Sequence, residues 1–261
     1  MHRIDLNLFD RVKKTFPSDR HELRRTAINY QFIKREYLDW KSELDLPKKY
    51  SSNEMDLYYL AVNTAFQHFE SSLDFSQGLE YLLEEKRANI IPAICILVRQ
   101  TLESAFTASW LVSDTDARRT AMRGYQITIR DLHNQYGIAK KLQEQFKLEH
   151  RLRFIDPEHL DKQRLELLLI GNQLDYSSKE VKEIFSPLIT RLFKRVSIGG
   201  EVHNLSWAYQ LLSAIGHGTW MGFYPSDKEF TQLLNIKDAS LRVTLNQLKA
   251  KSVILMNYPQ S

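Results

Sequence analysis

The chain has 261 residues, 43% of them hydrophobic and 26% charged, the balance of an ordinary globular protein with one large or two modest domains and not of a disordered one. Lys and Arg number 36 against 32 Asp and Glu, a net charge of +4 that permits an anionic partner without demanding one. The single Cys excludes an internal disulfide, and nine Gly and seven Pro among long stretches rich in Leu, Ala, Glu, Lys and Gln predict an all-α fold, a multi-helix bundle with an N-terminal amphipathic helical arm.

The opening segment MHRIDLNLFDRVKKTF carries Arg3, Asp5 and Asp10 and lacks the apolar core of a signal peptide, so a cytoplasmic location is expected. Residues 1–50 read as a basic, aromatic helical arm in which Arg24, Arg25, Lys34 and Arg35 alternate with Tyr30, Phe32, Tyr37 and Trp40. Ser18, Asp19 and Glu22 after Pro17 form a helix start, predicting a helix over 19–44 that serves self-association or a protein partner. Pro47, Ser51, Ser52 and Asn53 then break the pattern, and 51–261 reads as the helical bundle domain.

Three helices are predicted between 54 and 150: one to about Asp74, one from about Ser76 that Pro92 either interrupts or begins, and one through RRTAMRGYQITIRDLHNQYG. The apolar run from Ile90 to Val112 is interrupted by Pro92, Arg99, Gln100 and Glu103, which makes it a core helix and not a membrane span. Pro157 and Gly171 punctuate the next region, read as an irregular, partner-facing excursion, and the glycine pair in SIGGEVHN marks a turn. A helix from Leu205 to about Ile215 is expected to end at 216–218, followed by a last one from Asp227 or Asp238 to Tyr258.

Two of these helices carry the wrong residues for a plain core. Arg99 and Glu103 lie one turn apart among Ile94, Cys95, Leu97, Val98, Leu102 and Phe106, where an unpaired charge is costly. Tyr209, Ser213 and His217 lie one turn apart along WAYQLLSAIGHGTW. Two roles are open to each set. Ser213 can bond back to the carbonyl of Tyr209 while His217 caps the helix end; alternatively His217, its protonated form favoured by the helix C-terminus, acts as acid or base. Arg99 and Glu103 can anchor the last helices, or Arg99 can hold a phosphate while Glu103 orients the imidazole. Arg119 and Arg123 share a face that is either solvated or a phosphate patch. With no Cys pair, no Glu followed three residues later by His, no phosphate loop and no Gly-x-Ser-x-Gly elbow, no metal and no cofactor is expected.

At Arg99, Glu103, Arg119, Tyr209, Leu212, Ser213 and His217 the chain resembles a family of uncharacterised bacterial helical proteins, over roughly residues 55–225. More distantly it is similar to the HEPN superfamily, which includes metal-independent ribonucleases of toxin and phage-defence systems. There an Arg and a His on one helix, with four to six residues between them, act on RNA, usually across a dimer. Here Ala208 to Leu212 supply no Arg, so Arg99 or Arg119 takes that place from another helix. The resemblance implies a homo-oligomeric nucleotide-handling or RNA-cleaving protein with His217, Arg99, Glu103, Ser213 and Tyr209 at the site and Arg119 and Arg123 on phosphate. The competing reading from the residues alone is an interaction module whose polar network fixes helix register.

Overall fold

In the computed structural model the described residues are 26–46, 50–84, 91–146, 156–176, 192–194, 196–198, 201–216 and 227–258. They form an all-α multi-helix bundle: α1 (Tyr30–Ser42), α2 (Asn53–Glu84), α3 (Ile91–Val112), α4 (Ala117–Phe146), α5 (Pro157–Gln173), α6 (Ser206–Gly216) and α7 (Asp227–Met256). Between α5 and α6 lies a short antiparallel hairpin, β1 (Val196–Ile198) and β2 (Glu201–His203), whose register pairs Ile198 with Glu201; the glycine pair expected to mark a turn lies outside the described residues. Among the described residues no helix is long and apolar enough to cross a membrane.

The chain divides into two units. Unit 1 comprises Met1–Asp45, Ala65–Trp110 and Ile189–Ala250; unit 2 comprises Leu46–Thr64, Leu111–Leu188 and Lys251–Ser261. In unit 1, α1 runs antiparallel to α2, because the partners fall in number as α1 rises: Tyr30 donates to Glu80 at 2.8 Å, Lys34 to Gln77 at 2.8 Å and Tyr37 to Glu70 at 2.7 Å. Tyr30, Ile33 and Tyr37 are the buried face of α1, spaced by three and four, and the Tyr37 ring sits 4.9 Å from that of Phe69. The part of the 19–44 helix before residue 26 lies outside the described residues.

The break expected between Asp74 and Ser76 is absent, and α2 runs through it. Phe69, Ser72, Ser76, Leu79 and Leu83 keep a helical stripe buried across the site, and the Ser76 hydroxyl is satisfied by donating to the Ser72 carbonyl at 2.8 Å. Pro92 instead opens α3, in the first turn where a missing N–H costs nothing. A Ser72 hydroxyl bond to the Thr101 carbonyl at 2.9 Å fixes α3 against α2.

In unit 2 the excursion expected after residue 151 is replaced, over the described part, by α5. Asp156 caps it, accepting from the Glu158 N–H at 3.0 Å, and Pro157 is its first residue, so the proline begins a helix where a break was expected. Gly171 presses against the Tyr125 ring of α4, and Gly124 of α4 against Ala61 and the Leu57 carbonyl of α2; a Cβ fits at neither place. Asp175 takes a left-handed φ of 58°, letting the Tyr176 N–H return to the Gly171 carbonyl at 2.8 Å and close the end of α5.

Candidate functional site

The polar residues singled out on α3 and α6 meet in unit 1. Buried Ile94, Cys95, Val98, Leu102, Ala105 and Phe106 hold α3 in the core, which fixes where the two charged side chains of its remaining face emerge. Arg99 Nε donates to Glu103 Oε1 at 2.6 Å, and the two side chains keep 18% and 12% exposure, so the pair is largely desolvated yet not sealed. Arg99 Nη1 donates to Ser213 Oγ at 3.3 Å, and the Arg99 Cζ lies 5.1 Å from the centre of the Tyr209 ring, a cation–π arrangement that holds the plane of the guanidinium.

Tyr209 is itself backed by Phe193, with ring centres 5.3 Å apart, and Phe193 meets Phe106 edge-on at 5.0 Å. Phe193 is locked by its carbonyl, which accepts from the Leu205 N–H at 2.7 Å just before α6 begins. Asn204 starts that helix, its side-chain oxygen accepting from the Ser206 N–H at 3.1 Å. From there 3.6 residues per turn carry Tyr209 and Ser213 to the same face of α6. The role of Phe193 is not readable from the sequence, since nothing in its neighbourhood ties it to a residue sixteen positions later.

Hydrogen-bonding capacity remains at this site. A guanidinium has five N–H donors, and Arg99 spends one on Glu103 and one on Ser213. The other three, including both on Nη2, and the second Glu103 oxygen have no partner among the described residues. The side chains of Arg99 and Glu103 keep 18% and 12% exposure. The arrangement is a guanidinium held through Nε and Nη1 with Nη2 left to offer, beside an aromatic face and two hydroxyls.

His217 follows α6 directly in the chain and lies outside the described residues. Arg119 and Arg123 belong to unit 2, on α4. Arg123 donates from Nη1 to Ser113 at 3.0 Å and from Nη2 to Asp114 at 3.1 Å, while Arg119, two-thirds exposed, lies 3.8 Å from both Asp114 and Asp116. Beside them Lys251 donates to the Asp114 carbonyl and, at 3.3 Å, to Thr120. Burial lowers the pKa of both Arg123 and Lys251, with Asp114 opposing the shift.

The sequence reading missed a third polar cluster. Lys237 of α7 is 1% exposed, contacts Asp238 at 2.8 Å, donates to Ser76 at 3.3 Å and lies 5.4 Å from the Tyr30 ring centre. The Lys237–Asp238 approach leaves neither Asp238 oxygen a well-directed hydrogen bond. Burial pushes Lys237 down and Asp238 up, so both shifts move the pair toward its neutral form. Buried Cys95 is pushed up to about 12 by desolvation, which keeps it a thiol. Among the described residues no group of three or more His, Cys, Asp and Glu side chains is placed to hold a metal ion. Comparison of the chain with family models, curated proteins and solved structures gives no match.

Proposed function

We propose that unit 1 handles the phosphate of a nucleotide or of RNA, in the manner of the HEPN-like ribonucleases the chain resembles, and cleaves RNA without a metal. The observation that carries this reading is the half-engaged guanidinium of Arg99. Glu103, Ser213 and Tyr209 restrain it before any ligand arrives, and its Nη2 edge has no partner among the described residues. An Arg whose only task was to staple α3 to α6 would gain more from closing that edge.

In RNA cleavage of this kind the 2′-hydroxyl oxygen bonds to the adjacent phosphorus as its proton passes to a base. The bond from phosphorus to the 5′ oxygen breaks, and that oxygen takes a proton from an acid, leaving a 2′,3′-cyclic phosphate and a 5′-hydroxyl. Arg99 offsets the charge that builds on the phosphoryl oxygens, and His217, next after α6 in the chain, is the acid or base. Arg119 and Arg123 have aspartates as neighbours already, which leaves Arg99 as the centre of the proposal. The exposed Phe32 and Leu38 of α1 support assigning self-association or a protein partner to residues 1–50.

A second reading rests on the same contacts: Arg99 ties α3 to α6 through Ser213 and Tyr209, as a non-enzymatic interaction module with a structural polar network requires. Incubating a mixed RNA pool in EDTA with the wild type and with folded His217→Ala separates the two. The nuclease reading requires cleavage by the wild type that the variant loses. No cleavage by either protein, with a fallen melting temperature for the variant, supports the interaction module.

A further inference from the structure

We infer that Glu103 makes the Arg99 site selective for ribose: its free oxygen accepts the 2′-hydroxyl of the nucleotide whose phosphate Arg99 holds. The inference rests on the phosphate reading and adds the sugar to it. Arg99 can only donate, and with Ser213 Oγ accepting from Arg99, the Ser213 hydroxyl proton is free to donate as well. The second oxygen of Glu103 can only accept while ionised, and it has no partner among the described residues.

A phosphate alone satisfies half of this set. Its oxygens accept from the Arg99 fork, but beside the second Glu103 oxygen they meet an acceptor of like charge. A ligand that fits brings a hydrogen-bond donor next to its anionic oxygens. In RNA the 2′-hydroxyl is a donor on the carbon adjacent to the one that bears the phosphate, and in DNA nothing stands there. Because Arg99 Nε is bonded to the other oxygen of the same Glu103 carboxylate, the donor edge and the free acceptor are held side by side. The carboxylate thus restrains the arginine with one oxygen and reads the sugar with the other.

The test measures affinity of the full chain for three oligonucleotides of one sequence in EDTA: RNA, 2′-fluoro RNA, which keeps an RNA-like sugar but has no 2′ donor, and DNA. His217→Ala serves as background so that the RNA stays intact. RNA is expected to bind about tenfold more tightly than either analogue, the weight of one hydrogen bond to a charged group. Arg99→Ala added to that background should weaken all three. Glu103→Gln, which can turn an amide N–H toward the ligand, should raise the affinities of 2′-fluoro RNA and DNA and narrow the gap to about twofold. Equal affinity for RNA and 2′-fluoro RNA, with both weakened by Arg99→Ala, overturns the role of Glu103 and leaves the phosphate reading standing. Absence of binding, or binding indifferent to Arg99→Ala, overturns that reading and this inference with it. The RNA comparison with 2′-fluoro RNA needs no change at Glu103, so it decides even if Glu103→Gln does not fold.

Discussion

Arg99 in unit 1 and Arg123 in unit 2 are both mostly buried guanidiniums facing a carboxylate, yet they are built for different ends. Arg123 spends both terminal nitrogens on the loop before its own helix, on Ser113 and Asp114, and Lys251 clamps the carbonyl of that same Asp114. Arg99 spends Nε on Glu103 and Nη1 on Ser213 and leaves Nη2 without a partner among the described residues. The residue type is the same and each spends two donors in these bonds; the difference lies in which nitrogens they come from, both terminal ones in Arg123 but only Nη1 beside Nε in Arg99. An arginine with both terminal nitrogens engaged by the protein is a cross-link, whereas one held in place with a terminal nitrogen unengaged is prepared for a ligand.

The largest effect should come from opening the closed corner. Asp114→Ala strips Arg123 of its buried partner and should lower the unfolding free energy by about 3 kcal/mol, read by urea denaturation. A loss below about 1 kcal/mol would mean that the corner is no cross-link. Next in size is the buried pair on α7. Lys237→Met leaves the Asp238 carboxylate in the core and should cost about 2 kcal/mol. Adding Asp238→Leu should restore stability to within about 1 kcal/mol of the wild type, and a double variant worse than the single one would show that the pair itself is needed.

A smaller effect is a bend in stability at alkaline pH. Burial lowers Lys237 and Lys251 from 10.5, so the folded chain sheds these protons first. Between the folded values and 10.5 the unfolded chain holds more protons, and stability rises with pH. Burial raises Tyr30, Tyr37 and Tyr58 from 10.0, so above that pH the folded chain holds more protons and stability falls. Denaturation midpoints should therefore climb from pH 8 toward 10 and drop beyond it, with a shallower climb in Lys237→Met. A steady fall from pH 8 would contradict the buried lysines.

The Arg99 site was legible because its polar residues interrupt apolar helices at intervals of four, a pattern that a plain core does not produce. What joined them was legible only as a requirement for partners, which Ser213 and Tyr209 meet. Lys237, Asp238 and Lys251 were not legible. In NIKDASLRVTLNQLKAKS, charges at adjacent positions look like a solvated face, whereas α7 is buried on more than one side, at Ile236, Asp238 and Ser240 as well as along the stripe of Leu234, Lys237, Leu241, Thr244 and Leu248. Pro157 misled for a related reason: a proline ends one helix or begins another, and only the capping bond from Glu158 to Asp156 tells which. The helix break between Asp74 and Ser76 failed because a serine whose hydroxyl bonds back along its own helix does not compete with it.

The central claim is that the chain's phosphate contact lies at Arg99 and not at the arginines of α4. Titrating a labelled single-stranded RNA in EDTA with wild type, Arg99→Ala and Arg119→Ala, each checked for its melting temperature, tests this most directly. The account predicts that Arg99→Ala weakens binding at least about tenfold, while the exposed, loosely paired Arg119 changes it by less than about twofold. Binding lost in Arg119→Ala and kept in Arg99→Ala would contradict it.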